Sequence, residues 1–361
     1  MTADAVGGVW NYALDLSHGL AAHDVTVGLA IMGPPPGTSQ LSEIGALSNV
    51  RLFTNPSALE WMDDPWEQVD TAGDWLQGVA EGFAPDAIHL NGYAHATLPW
   101  NAPVLVVAHS CVCSWFRAVK GTAAPPRYAE YRERVERGLR AATEIVAPSE
   151  AMLAALNAEY EFQTPQRAIP NGRSAPGFVS GDKKPVIFSA GRFWDEAKNL
   201  SLLATVAPDL EWEVRVAGEQ RGPRGEVRHA AGLTTLGMLS RSELARELSE
   251  AAIYAAPALY EPFGLSILEA ALSGCALVLS DIPSLRELWS GAATFVDPRD
   301  PELWRASLNE LAQAPAARAD LSARAVVRAR DFTAQRMTDA YAALYDELLA
   351  SAAAPAEFAI R

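Results

Sequence analysis

Eight short apolar runs constrain this chain more than anything else in it: VTVGLAI (25–31), DAIHLN (86–91), VLVVAH (104–109), IVAPS (145–149), PVIFSAG (185–191), EVRVAG (213–218), IYAAP (253–257) and ALVLS (276–280). They are continuous rather than alternating, β-branched, and bounded by Gly, Pro or Ser. Strands buried on both faces of a parallel sheet read this way. Helical periods fill the intervals at 9–22, 127–142, 240–250 and 264–273. The alternation predicts an α/β chain with doubly wound parallel sheets.

A length of 361 residues exceeds what one hydrophobic core usually serves, so two domains are expected. The segment IPNGRSAPGFVSGDKKP (169–185) is rich in Pro, Gly and Ser and has no period, which marks the break. The expected division is 1–168, 169–330 and a C-terminal stretch, 331–361, whose amphipathic helix packs across both domains. Two Rossmann-like domains would then face each other across a cleft, with ligands at the carboxyl ends of the strands. The turn Gly7-Gly8 arrives after only six residues, with no apolar strand before it. The first strand of the N-terminal domain is therefore expected to be missing and the chain to begin downstream of its natural start. Ladder groups on neighbouring strands would be left unpaired.

A net charge of -15 argues against a nucleic-acid binder, because phosphate neutralisation dominates that affinity. It does not argue against an anionic ligand held in a locally positive cleft. Cys111, Cys113 and Cys275 fit neither a disulfide framework nor zinc spacing and read as buried thiols of a reducing cytoplasm. No apolar run approaches the roughly 20 residues of a membrane span, so membrane association is expected to be peripheral at most. The stretch VGGVWNY lacks the G-x-G-x-x-G of a nicotinamide dinucleotide site.

The chemistry concentrates in YEPFGLSILEA (260–270). Pro262 and Gly264 keep Glu261 out of helix, whereas Glu269 falls inside a helical apolar period. Gly264 at the helix entrance lets backbone approach a ligand, and the free N–H groups of 264–266 form an anion site. A diphosphate between two polyols fits, with amides for phosphate and one acid for each sugar. The bland alternative is an ordinary helix with solvated glutamates. In SAGRFWDEAKNL, Arg192 leaves a strand and its glycine, and Lys198 follows at the next helix start. Two cations there would neutralise a diphosphate and stabilise it as a leaving group.

These segments, with AIPNG and LGMLSRSELARELSEAAIYAAPALYEPFGLSILEAALSGCALVLSDIPSLRE, resemble the retaining glycosyltransferases of the GT-B fold, family 4. The resemblance is strongest over about 185–300 and weaker at VGGVWNYALDLSHGLA, PDAIHLN, VVAHS and EIVAPSEAM. It implies that Arg192 and Lys198 bind the donor diphosphate, that Glu261 contacts the transferred sugar and that Glu269 holds the ribose. It implies that the backbone of Phe263, Gly264 and Leu265 contacts sugar or phosphate, and that Gly237 and Met238 lie along the base. Gly7 and Gly8 would approach the phosphate and acceptor, and His109 would reach the transferred sugar. By residue reading alone, His109 could simply cap a strand. His89 and His95 read as structural, Asp195 and Glu196 as loop acids, and helix 127–142 as a solvated face; Trp115 and Phe116 could wall an acceptor site.

The resemblance implies a metal-independent, cofactor-free hexosyltransferase using a nucleoside-diphosphate sugar, with UDP ahead of GDP and ADP. The acceptor would be a glycan, a lipid-linked sugar or a small molecule. A non-catalytic sugar-nucleotide binder and a GT-B-fold nucleotide-sugar epimerase are the alternatives.

Overall fold

The computed structural model describes residues 1–174, 176–220 and 232–353. Residues 354–361, assigned by sequence to the C-terminal stretch, lie outside them. The chain forms two compact units. One holds Met1–Ser114, Ala123–Gly172 and the helix Ala334–Ala353; the other holds Trp115–Thr122 and Arg173–Thr333. The division falls after Gly172 rather than after residue 168.

In the first unit, β1 (Thr2–Asp4), β2 (Val27–Met32) and β3 (Val50–Asn55) form one parallel sheet in the order β1-β2-β3. A second parallel sheet holds β4 (Ile88–Leu90), β5 (Val104–Val107), β6 (Glu144–Ala147) and β7 (Gln166–Ala168). The first strand, expected to be missing, is present as β1. It pairs Thr2 with Ala30, Ala3 with Ile31 and Asp4 with Met32, so the corresponding ladder groups of β2 are satisfied. Towards β4, Asn91 supplies the connection: its backbone N–H donates to Thr2 Oγ1 at 2.9 Å and its Nδ2 to the Thr2 carbonyl at 2.7 Å.

In the second unit, β8 (Lys184–Ala190), β9 (Glu213–Ala217), β10 (Thr234–Gly237), β11 (Ala251–Ala256), β12 (Ala276–Ser280) and β13 (Thr294–Val296) form one sheet. Its order is β10-β9-β8-β11-β12-β13, and every pairing is parallel. The strands β5, β6, β11 and β12 are buried almost end to end, as continuous apolar runs require. Ser240 caps the helix Arg241–Glu250 by accepting from the Glu243 N–H, and Glu243 returns the contact to the Ser240 N–H.

All eight apolar runs form strands. The five strands not read from sequence are β1, β3, β7, β10 and β13, and each is the edge of its sheet. An edge strand has no need of apolar side chains on both faces. Accordingly β3 carries Arg51 and Thr54, and β7 carries Gln166 and Arg167. Among the described residues no helix is long and apolar enough to cross a membrane.

The C-terminal helix, expected to lie across both domains, buries Met337, Tyr341, Leu344 and Leu348 in the core of the first unit, beside Trp10, Tyr12 and Leu16 of the helix Gly8–Leu20. Gly19 makes that approach possible, since a Cβ there would sit 2.1 Å from Thr338 Oγ1 and 2.9 Å from Thr338 Cβ. We expect Gly19→Ala to destabilise the protein by about 1–3 kcal/mol through overpacking, read from denaturant midpoints at unchanged slope. Unaltered stability would mean that the two helices do not meet at this glycine.

Candidate active site

The second unit gathers its candidate residues on the carboxyl edge of its parallel sheet. β8 runs into Gly191 and Arg192, and β9 into Gly218. Gly218 has φ 144°, and a Cβ on it would lie 1.9 Å from the Gly191 carbonyl oxygen, so only glycine lets these strand exits meet. The Gly218 N–H also donates to the Gly237 carbonyl at 2.8 Å, which draws the end of β10 into the same edge. Met238 follows and is 73 % exposed.

Beyond Arg192 the chain turns through Asp195, whose carboxylate accepts from the Ala197 N–H at 2.9 Å and starts the 3₁₀ turn Glu196–Lys198. Asp195 also accepts from the Trp115 indole N–H at 3.0 Å, and Glu196 pairs with Lys120. These acids thus hold the loop in shape, and the Trp115 indole N–H is engaged with it. The stem of Lys198 lies over Gly191, and its Nζ is 2.5 Å from Glu261 Oε2. The two loops are tied by the Leu259 N–H, which donates to the Ala197 carbonyl at 2.8 Å. Arg192 leaves the same strand end, its guanidinium 5.4 Å from the centre of the Trp194 ring.

Glu261 follows β11, and its carbonyl accepts from the Ser284 hydroxyl at 2.6 Å. Two residues on, the Phe263 side chain turns into the core against Phe332, with ring centres 5.5 Å apart. That leaves Phe263 only backbone to offer a ligand. Gly264, at φ 88°, then opens the helix Leu265–Leu272, a backbone conformation that L side chains seldom adopt. A helix N-terminus with unspent N–H groups adjoins the Lys198–Glu261 pair.

Glu269 lies one turn deeper and is 5 % exposed. Its Oε1 accepts from Arg173 Nε at 2.8 Å, and Arg173 is itself buried. This partnership has no signature in the sequence: Arg173 follows Pro-Asn-Gly in a segment without period, 96 residues away. The site therefore pairs both glutamates of YEPFGLSILEA, Glu261 and Glu269, with a cation.

In the first unit, the Asp4 carboxylate accepts from the Val6 N–H at 2.7 Å, Gly7 turns at φ 81° and the helix Gly8–Leu20 begins, with Gly7 and Gly8 exposed. His109 lies just past β5 with Nε2 2.9 Å from Asn91 Oδ1 and its ring edge-on to Tyr12, centres 4.4 Å apart. Burial pushes its pKa down to about 3. His89 is 3 % exposed, with Nδ1 2.6 Å from the Tyr345 hydroxyl and Nε2 3.2 Å from the Tyr12 hydroxyl. Burial likewise holds its pKa well below the usual histidine value. His95 donates from Nε2 to the Val69 carbonyl at 2.8 Å, and burial lowers its pKa too. Asn91 and Tyr12 were not legible as site residues, because their neighbours come from distant strands.

With this geometry in place, comparison with known proteins is informative. The family described as Glycosyltransferase Family 4 matches residues 6–174, and that described as Glycosyl transferases group 1 matches residues 184–314. The chain belongs to glycosyltransferase family 4. O-antigen chain mannosyltransferase B from Escherichia coli is 28 % identical over 155 residues, 43 % of this chain and 35 % of that protein. Phosphatidyl-myo-inositol mannosyltransferase from Mycolicibacterium smegmatis is 30 % identical over 139 residues, 33 % of this chain and 35 % of that protein. The matched segments thus span about a third of these curated relatives.

Among solved structures, sucrose-phosphate synthase from Thermosynechococcus elongatus superposes with a TM-score of 0.80 at 17 % identity, covering 97 % of this chain and 96 % of that one. Anabaena HepE in complex with UDP and glucose gives 0.71 at 13 % identity, covering 96 % and 100 %. These likenesses establish the GT-B fold, with two Rossmann-like domains.

Two outcomes follow from this geometry. Arg173→Met leaves the Glu269 carboxylate buried without that cation and should cost about 3–5 kcal/mol. Adding Glu269→Gln should recover most of the loss, and an equally unstable double variant would show that the pair is not the source. The second outcome concerns pH. His89, His95 and His109 have depressed folded-state pKa values, so below about 6.5 the unfolded chain takes up protons that the folded chain does not. Stability is therefore full above that pH and lost as pH falls, at up to about 1.4 kcal/mol per pH unit for His89 alone. Glu60, whose pKa burial raises, offsets part of this at the acid end. Melting temperature should decline from about pH 7.5 to about pH 5.5, and a flat profile would contradict it.

Proposed function

We propose that the protein is a retaining glycosyltransferase, moving a hexose from a uridine-diphosphate sugar to a hydroxyl of an acceptor without a metal or other cofactor. The observation that carries this reading is the Lys198–Glu261 contact at 2.5 Å, on a sheet edge that also bears Arg192 and a glycine-opened helix N-terminus. A carboxylate suited to sugar hydroxyls and an ammonium suited to phosphate touch each other, as the two ends of a sugar–phosphate linkage would require. HepE structures solved with UDP and with UDP-glucose share the fold, which supports uridine as the base. The mannosyltransferase relatives support a hexose, and a glycan or a lipid-linked sugar as the acceptor. We place the reaction in the cytoplasm, with membrane association at most peripheral.

Binding of a diphosphate gives the Lys198 ammonium a second anion to share with Glu261, while the Arg192 guanidinium adds a planar pair of donors. The first N–H groups of the helix Leu265–Leu272 contribute fixed dipoles of the same sign. As the bond between the anomeric carbon and diphosphate oxygen breaks, these groups stabilise the charge that accumulates on the leaving group. The acceptor oxygen forms its bond to the same carbon on the face the diphosphate leaves, and its proton passes to a departing phosphate oxygen. No side-chain nucleophile is needed. Glu261 would hold hydroxyls of the transferred sugar and Glu269, oriented by Arg173, those of the ribose.

Lys198→Ala and Glu261→Ala should each lower transfer from UDP-glucose by about tenfold or more while circular dichroism stays unchanged. UDP should raise the melting temperature of the parent protein by mass action. Near-parental rates in both variants would overturn the assignment.

A further inference from the structure

The first unit holds a polar network whose geometry goes beyond naming His109 as a candidate. Asn91 Nδ2 is 2.7 Å from the Thr2 carbonyl, which can only accept, so this contact settles which end of the amide is nitrogen. The other end, Oδ1, faces His109 Nε2 at 2.9 Å. An amide oxygen also only accepts, so Nε2 must carry the hydrogen. Because burial keeps the ring neutral, its other nitrogen, Nδ1, keeps a lone pair. Among the described residues Nδ1 has no hydrogen-bond partner. The Tyr12 ring, edge-on at 4.4 Å, limits rotation of the imidazole.

Further hydrogen bonds hold the anchor. The Asn91 backbone N–H donates to Thr2 Oγ1 at 2.9 Å. His89 lies with Nε2 3.3 Å from the same Asn91 oxygen and 3.2 Å from the Tyr12 hydroxyl, while its Nδ1 faces the Tyr345 hydroxyl at 2.6 Å. If the Tyr345 hydroxyl donates to Nδ1, His89 Nε2–H gives Asn91 Oδ1 a second donor, which fills both lone pairs of that oxygen.

We propose that Asn91 is a positioning residue that fixes His109 as the Nε2–H tautomer, so that Nδ1 is offered as an acceptor for a sugar hydroxyl of the donor. The role in sugar binding rests on the function proposed above; the tautomer does not.

Two measurements test it. Long-range ¹H–¹⁵N correlation of the imidazole signals, with His109 assigned through His109→Gln, should show a protonated Nε2 and a bare Nδ1. In Asn91→Leu the same ring should shift to a mixture of tautomers, whereas Asn91→Asp, which still offers an oxygen to Nε2, should keep the parental pattern. A parental Nδ1–H signal, or no response to Asn91→Leu, overturns the proposal. By calorimetry, Asn91→Leu should weaken UDP-glucose by about fivefold or more and leave UDP unchanged, because UDP lacks the sugar. Equal loss of both ligands, or of neither, overturns the sugar role. Failure of the parental protein to bind either ligand while the tautomer is as stated refutes the proposed function and leaves the tautomer assignment standing.

Discussion

Parallel strands point all their carboxyl ends the same way, so loops distant in sequence are collected on one edge of a sheet. In the second unit this constraint brings Arg192, which leaves β8, Glu261, which follows β11, and Gly237, which closes β10, onto a common rim. The rim is tied by short backbone contacts, Leu259 N–H to the Ala197 carbonyl and Gly218 N–H to the Gly237 carbonyl, together with the side chains of Asp195 and Ser284.

Around their candidate residues, the two units hold polar groups in different ways. The second uses charge pairs, Lys198 with Glu261 and Arg173 with Glu269. The first uses neutral hydrogen bonds, in which Asn91, His89, Tyr12 and Tyr345 satisfy one another and His109 is held uncharged. The difference suits what each set would meet in the proposed reaction. Cations are of use beside a diphosphate, whose charge repays their desolvation. A sugar hydroxyl needs only a well-aimed neutral partner, and a charge beside it would cost more than it returned.

What was legible in the sequence follows the same physics. Interior strands must be apolar on both faces, so β5, β8, β11 and β12 were visible as unbroken runs. Edge strands are exempt, which is why β1 looked absent although Thr2–Asp4 pairs in register with β2. Arg192, Lys198, Glu261 and Gly264 were visible because short-range constraints accompany them: a strand end, a glycine, a proline. Arg173 and Asn91 were not, because what makes each matter is a partner contributed by another part of the chain. Arg173 meets Glu269 across 96 residues, and Asn91 meets Thr2 across 89. Local sequence cannot carry that information.

Arg173 shows what such long-range pairing adds. A buried ion pair seldom stabilises a fold more than an apolar pair of the same volume would. Its use here has to be geometric: one carboxylate oxygen of Glu269 is fixed at 2.8 Å from a planar guanidinium, which sets the direction of the whole group. Arg173 is itself held at the backbone, its N–H donating to the Phe332 carbonyl at 3.1 Å and its main chain bridged to Thr333. These residues stand at the two ends of the segment Arg173–Thr333, the longer of the two that make up the second unit. The carboxylate is therefore indexed to both ends of that segment as well as to its own helix, and a displacement of either end would be felt at Glu269.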